Sequence, residues 1–277
     1  MNVGLIQVDG KLPNLALMKL SAFHKARGDH VKLIDISTNN FDVVYGSKIF
    51  MGGSGYDIKQ KLPDGIEEMI PDYDLFNLDY SIGFTSRGCI RKCNFCIVNE
   101  KEGEFKDDSM RFIKHSKVLL LDNNFLASEK CIDKLNYFID NKIKVCFNQG
   151  LDIRLMTKEI AEVLVNVKYY DLNFKKRRLY FAFDDLSIEK SVIRGIDILI
   201  NAGVKPDHLM FYVLCGFNTN HKQDYYRFKV LNDLGCLPFI MIYNNRGNKK
   251  LRDFSRWVNK RYYKVCSFDD YNTKVIE

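Results

Sequence analysis

From residue 81 onward, short apolar runs alternate with longer stretches of helical periodicity, and the alternation supplies six runs. The runs are 81–85, 117–121, 144–147, 178–183, 209–214 and 238–243. Each is short, apolar and bounded by polar or turn residues, so each reads as a strand. The helical stretches lie near 128–141, 157–168, 187–202 and 222–234, with a last one near 251–260. Ser128, Thr157 and Ser187 stand where helix N-caps belong, and Gly203 and Gly235 where helices stop. Strands joined by crossover helices run parallel and wind in one hand. The pattern therefore predicts an α/β chain whose six strands can curl into a partial (β/α)6 barrel. Active groups would then sit on loops at the carboxyl edge of the strands.

The first 79 residues read differently. Residues 3–8 predict a buried strand, and 14–27 a helix with Leu15, Leu17, Met18, Leu20 and Phe23 at helical spacing before Gly28. Residues 31–36 and 42–45 predict two further strands, which together make a small Rossmann-like α/β layer. Gly52-Gly53-Ser54-Gly55 lacks the G-x-G-x-x-G spacing at a strand-to-helix turn and reads as a loop. Residues 61–79 carry Pro63 and Pro71 and read as a connector with a short helix. The expected organisation is a small N-terminal domain over 1–79, a partial barrel over 80–245 and a helical, basic extension over 246–277.

Immediately after the first barrel strand stands Gly88-Cys89-Ile90-Arg91-Lys92-Cys93-Asn94-Phe95-Cys96. The spacing is C-x3-C-x2-C. Three thiolates on one short loop can hold three irons of a 4Fe–4S cluster and leave the fourth iron open to a substrate or cofactor. Positions 89, 93 and 96 could share one helical face as a buried cysteine stripe, but Gly88, Arg91, Lys92 and Asn94 interrupt any apolar surface there. Zinc would want a fourth ligand, for which His115 or Cys131 is available. Nothing marks the chain as secreted, so a disulfide is disfavoured.

The 277 residues are 46% hydrophobic and 28% charged, which suits an ordinary globular protein. No stretch approaches the roughly 20 apolar residues of a membrane span. The start, Met1 to Ile6, lacks the basic and apolar segments of a signal peptide. With eight cysteines this predicts a reducing, cytoplasmic setting and no membrane partner. The five cysteines outside the motif are dispersed, so one cluster is expected. The formal charge of +7 permits a nucleic acid or another phosphate-bearing partner without demanding one.

The cysteine loop resembles the signature of the radical S-adenosylmethionine (SAM) superfamily. Gly83-Phe84-Thr85-Ser86-Arg87-Gly88-Cys89, Ile97-Val98-Asn99-Glu100-Lys101-Glu102-Gly103 and Leu120-Leu121-Asp122-Asn123-Asn124-Phe125 are similar to members with an N-terminal cobalamin-binding-type domain. The likeness runs from about residue 81 to about residue 245. It implies a radical SAM partial barrel, a 4Fe–4S cluster on Cys89, Cys93 and Cys96, and SAM chelated to the fourth iron by its amino and carboxylate groups. One electron would then cleave the sulfonium to methionine and a 5′-deoxyadenosyl radical, with a reducing partner such as flavodoxin or ferredoxin. Cobalamin is not expected, because the place of the family's D-x-H-x-x-G reads Asp9-Gly10-Lys11-Leu12-Pro13. His24 and His30 lack the spacing and read as surface or capping histidines.

Further site candidates follow the strands. Phe95 would cover the cluster or the adenine, or simply pack in the core. Asp122, Asn123 and Asn124 could accept the SAM ammonium, the part that a Gly-Gly-Glu segment plays in the wider family, or form a capping turn. Arg154 suits the SAM carboxylate through a bidentate pair, with Arg194 as competitor. Asp184 could accept from a ribose while Asp185 caps the next helix, or the reverse. Gly216 would allow close approach of the adenosyl group. Residues 243–246 would face the substrate. The catalytic residue acting on that substrate is not identified.

Residues 246–264 interleave eight basic residues with Phe254, Trp257, Tyr262 and Tyr263. This suits stacked bases and paired phosphates, or an amphipathic helix with Leu251, Phe254, Trp257 and Val258 turned inward. The expectation is a cytoplasmic, oxygen-sensitive radical SAM enzyme acting on a nucleic acid or nucleotide. Its rivals are a radical SAM enzyme modifying a small molecule or peptide, and a zinc-containing nucleic-acid-binding module without redox activity.

Overall fold

The computed structural model describes residues 1–35, 40–48, 62–244 and 247–274. The 52–55 glycine loop, Asn245 and Arg246 fall outside the described residues. The chain divides into two compact units, one of residues 1–83 with 109–118 and one of residues 84–108 with 119–277.

The first unit opens with β1 (Asn2–Gln7), α1 (Leu15–Ala26), β2 (His30–Leu33) and β3 (Val43–Ser47), and includes β4 (Ser81–Gly83). Both β2 and β3 pair with β1 in parallel, in the order β2-β1-β3. Asn14 caps α1 through its side-chain oxygen, which accepts from the amides of Ala16 and Leu17. Val3, Leu5, Leu17, Leu20, Tyr45 and Ile66 form its apolar core. His24 is not at the surface as expected. It is buried, with Nδ1 2.8 Å from Asp29 and Nε2 3.2 Å from the Tyr45 hydroxyl. Residues 62–80 hold two single-turn 3-10 helices, Ile66–Glu68 and Tyr73–Phe76.

The second unit carries β5 (Ser86–Arg87), α2 (Val98–Lys101), β6 (Lys106–Asp107) and the end of β7 (Lys117–Leu120). Then come α3 (Cys131–Asp140), β8 (Lys144–Phe147), α4 (Lys158–Leu164), β9 (Lys168–Tyr169), β10 (Leu179–Ala182), α5 (Glu189–Asn201), β11 (Leu209–Cys215), α6 (His221–Asp233), β12 (Leu237–Ile242), α7 (Lys249–Asn259) and α8 (Phe268–Lys274). The fold is mixed α/β with parallel sheets. β7, β8 and β9 lie side by side, as do β10, β11 and β12. β10 pairs β11 and β11 pairs β12, both in parallel, with Phe181 opposite Phe211 and Tyr212 opposite Phe239. The loop after β8 docks on β10 through the Leu151 amide, which donates to the Tyr180 carbonyl at 2.7 Å.

Strand alternation decides the faces. Leu179, Phe181, Leu209, Phe211, Val213 and Cys215 are fully buried, while their neighbours Tyr180, Tyr212 and Leu214 are half-buried on the other face. The helices bury one stripe each, such as Val192, Ile196 and Leu199 on α5 and Leu251, Phe254, Trp257 and Val258 on α7. Each such side chain contributes about 1.5–3 kcal/mol relative to exposure.

Of the expected caps, Thr157 holds: its hydroxyl accepts from the Ile160 amide. Ser128 instead accepts from Lys130, two residues on, and Asp185 replaces Ser187, whose amide it accepts. Both follow from short 3-10 turns, Phe125–Ala127 and Leu186–Ile188, that precede the helices. The 246–277 stretch belongs to the second unit. Asn259 on α7 pins it to β12 by accepting from the Ile240 amide and donating to the Ile240 carbonyl.

Candidate functional site

The loops after β7, β8, β10, β11 and β12 all leave the carboxyl edge of parallel strands, where α/β folds bind ligands. The cysteine loop belongs to this edge through several specific bonds. Gly88 opens it with φ +72° and its amide donates to Asn123 Oδ1 at 3.1 Å. A Cβ there would meet the Glu104 carbonyl oxygen at 2.4 Å, so only glycine fits.

The three residues after β7 have separate tasks. Asp122 is buried, and both oxygens are in use: Oδ1 accepts from the Thr85 amide at 2.8 Å, and Oδ2 from the hydroxyls of Thr85 and Ser86 at 2.6 and 2.7 Å. Burial pushes its pKa up against these bonds. Asp122 therefore fixes the segment leading into the cysteine loop. Asn123 holds Gly88. Asn124 is the one facing the sulfur: Nδ2 lies 3.5 Å from Cys89 Sγ, and its buried Oδ1 has no hydrogen-bond partner.

Cys89 and Cys93 are partly buried and Cys96 is exposed. The Arg91 amide donates to Cys89 Sγ at 3.4 Å. Burial raises the Cys93 pKa, opposed by the Arg154 guanidinium. The Arg91 amide and Asn124 Nδ2 thus both turn toward one sulfur, that of Cys89.

Asp152 joins the cysteine loop to the loop after β8. It accepts from Arg91 Nε at 2.8 Å and from Arg154 Nε and Nη2 at 2.6 and 3.0 Å. Burial works against its carboxylate, but the two arginines lower its pKa. Desolvation works against the Arg154 charge, but its bonds to Asp152, with the Cys93 and Cys89 sulfurs adding, raise its pKa. Arg194 donates to the Arg154 carbonyl from α5, a supporting contact.

After β10 the two aspartates divide. Asp185 caps the turn and accepts from Asn218. Asp184 accepts from the Leu214 amide at 2.9 Å, and burial raises its pKa, with Arg227 and Arg154 pulling the other way. Arg227, fully buried on α6, donates to the Phe183 and Leu214 carbonyls and to Asp224. It locks the ends of β10 and β11 together and so fixes where Asp184 and Gly216 stand. Gly216 has φ +82°, which turns the chain so that Phe217 reaches Phe95, ring centroids 5.6 Å apart. Phe217 also meets Tyr243 at 4.8 Å.

The sequence reading missed Thr85, Ser86, Arg91, Arg227 and Phe217. Only Arg91 left a signal, as a cation inside the cysteine motif facing an Asp-x-Arg after the next strand but one. Among the described residues, no group of three or more His, Cys, Asp or Glu converges as it would around a single metal ion. No described helix is long and apolar enough to cross a membrane. Known protein-family models give no match to this chain, and no curated protein matches it.

Proposed function

We propose that the second unit is a radical SAM partial barrel, and that Cys89, Cys93 and Cys96 carry a 4Fe–4S cluster with SAM on the open iron. The observation that carries the reading is Cys89: its sulfur receives the Arg91 amide and the Asn124 amide group, while Asn124 Oδ1 stays buried and unpartnered. A buried orphan acceptor is costly unless a donor fills it. The SAM ammonium is a donor of the right chemistry. The motif offers three thiolates, and a cubane takes one thiolate on each of three irons, whereas a structural zinc wants a fourth ligand.

When bound and reduced by one electron from a flavodoxin or ferredoxin, the cluster supplies reductive cleavage of SAM to methionine and a 5′-deoxyadenosyl radical. The chain's own residues bind and orient. Arg154, held rigid by Asp152, offers its guanidinium to the SAM carboxylate. Asp184 offers an acceptor to the ribose. Phe95, Phe217 and Tyr243 pack edge to face and would form an aromatic wall along one side of bound SAM. Gly216 leaves room for backbone approach.

Anaerobic reconstitution tests this. About four irons and four sulfides per chain are expected, with 5′-deoxyadenosine released after reduction with SAM present. Uptake of zinc alone without sulfide would sink the metal assignment. A full cluster that binds no SAM would sink the activity.

A further inference from the structure

We propose that the solvent face of α7, together with the cavity at its end, binds single-stranded nucleic acid. This names a substrate class for the enzyme proposed above and rests on that reading only in calling the bound strand a substrate.

The sequence left two readings of residues 246–264, and α7 combines them. Its apolar face is buried, so its other face is purely polar. Lys249, Lys250, Arg256, Lys260, Arg261 and Lys264 are all exposed. Among the described residues, none of the six makes a salt bridge or a side-chain hydrogen bond. The one acid in this stretch, Asp253, is buried. In a chain of net charge +7 the surplus is therefore concentrated here.

Two features of this placement do not serve folding. Lys249 and Lys250 occupy the first turn of α7, where no acidic residue accompanies them. Cations there oppose the helix dipole. Lys249, Arg256 and Lys260 recur at spacings that set them on one side of the helix. A helix of this length spans about 16 Å, enough for a few nucleotides of backbone. The stripe starts at the end of α7 that follows β12, on the edge that carries the cysteine loop.

At the other end of α7 lies a cavity of about 410 Å³ lined by Tyr225, Phe228, Trp257, Tyr263, Lys229 and Lys264. Tyr225 is 37% exposed and stacks on Trp257 at 6.2 Å and 18°. Lys229 is paired with Asp233 at 2.6 Å, which leaves Lys264 as the cation on the rim. An aromatic floor beside it suits an unstacked base with its phosphate on Lys264. A duplex would keep its bases out of reach. A membrane would need an exposed apolar helix face, and that of α7 is buried.

Fluorescence anisotropy with a labelled oligouridylate of about 12 nucleotides tests the surface, using the full chain at about 50 mM salt. Wild type should bind with a steep salt dependence. The exposed triple substitution Arg256→Gln, Lys260→Gln, Lys264→Gln should weaken binding about tenfold or more and cut the salt slope by roughly 2, at about 0.7 per phosphate contact on a single strand. An abasic strand of equal charge should bind about tenfold more weakly, because base stacking is lost. Equal binding of the triple variant, equal binding of the abasic strand, no binding by wild type, or tighter binding to phosphatidylglycerol vesicles would each overturn the proposal. The measurement needs no cluster and no SAM, so its failure leaves the enzyme reading standing, and a protein without iron could still bind the strand.

Discussion

Asp152 Oδ2 lies 2.8 Å from Arg91 Nε, so a carboxylate after β8 holds the loop that carries all three clustered cysteines. The same carboxylate takes two bonds from Arg154. The cysteine loop and Arg154 are thus positioned by one group.

Asp152→Asn should therefore disturb both. It removes the charge that pairs two guanidiniums while preserving shape. A loss of about 2 kcal/mol is expected, toward the low end for charge-assisted bonds because both arginines are partly exposed. Urea unfolding of the anaerobic apoprotein measures it. A stability unchanged from wild type would mean that the loop is held by other contacts.

Asp122 and Asn124 should separate structure from binding. Asp122→Ala orphans the Thr85 amide and two hydroxyls in a buried setting, at a cost of about 2–4 kcal/mol. Asn124→Ala removes the unpartnered oxygen, so it should cost far less stability yet weaken SAM binding to the reconstituted protein by about tenfold. Calorimetry with SAM reads the second effect. A drop in SAM affinity for a folded Asp122→Asn variant, with none for Asn124→Ala, would reverse these roles.

The longer strands and helices of the second unit were legible because each apolar run and helical stretch obeys its own period, and the three-cysteine motif is local. By contrast β5, β6, β9, α2 and α8, of two to seven residues, are too short to show one. The division of labour at the edge was not. Asp122, Asn123 and Asn124 look interchangeable in sequence, and only packing shows that Asp122 meets Thr85 while Asn124 meets Cys89. Asp185 and Asp184 are equally alike until the turn at Leu186 selects one as a cap. Arg227 was invisible because its partners are main-chain carbonyls at the ends of β10 and β11, which sequence does not mark. His24 misled because a charged-type residue inside an amphipathic helix reads as surface until Asp29 and Tyr45 are seen to satisfy both ring nitrogens.

His221 should make the second unit acid-sensitive. Its ring packs on Phe254 and Phe268, and its buried Nδ1 has no partner. Burial lowers its pKa, Lys250 lowers it further, and Asp224 and Asp269 oppose them. The folded-state value lies below the unfolded value of about 6.5. The stabilisation from keeping the ring neutral is therefore present above about pH 6.5 and is lost as pH falls through the folded pKa. His221→Leu should flatten the dependence of urea midpoint on pH between about 7 and 5. An unchanged slope would assign the acid sensitivity to other groups.

Trp257 decides what the aromatics of the basic segment do. Its ring is 2% exposed, meets Phe228 at 5.1 Å and Phe268 at 5.4 Å, and its Nε1 donates to the Cys266 carbonyl at 3.1 Å. These contacts tie α6, α7 and α8 together, so the indole is first a core residue and only its edge reaches the cavity. Trp257→Ala should then cost about 3–5 kcal/mol, the usual range for removing a large buried aromatic, with a further ~1 kcal/mol for the orphaned carbonyl. Trp257→Phe keeps most of the packing and loses the hydrogen bond, so it should cost about 1–2 kcal/mol. Both are read from urea midpoints at constant slope. A cost below about 1 kcal/mol for Trp257→Ala would place the ring in solvent as a stacking platform. In that event oligouridylate affinity, rather than stability, should carry the loss.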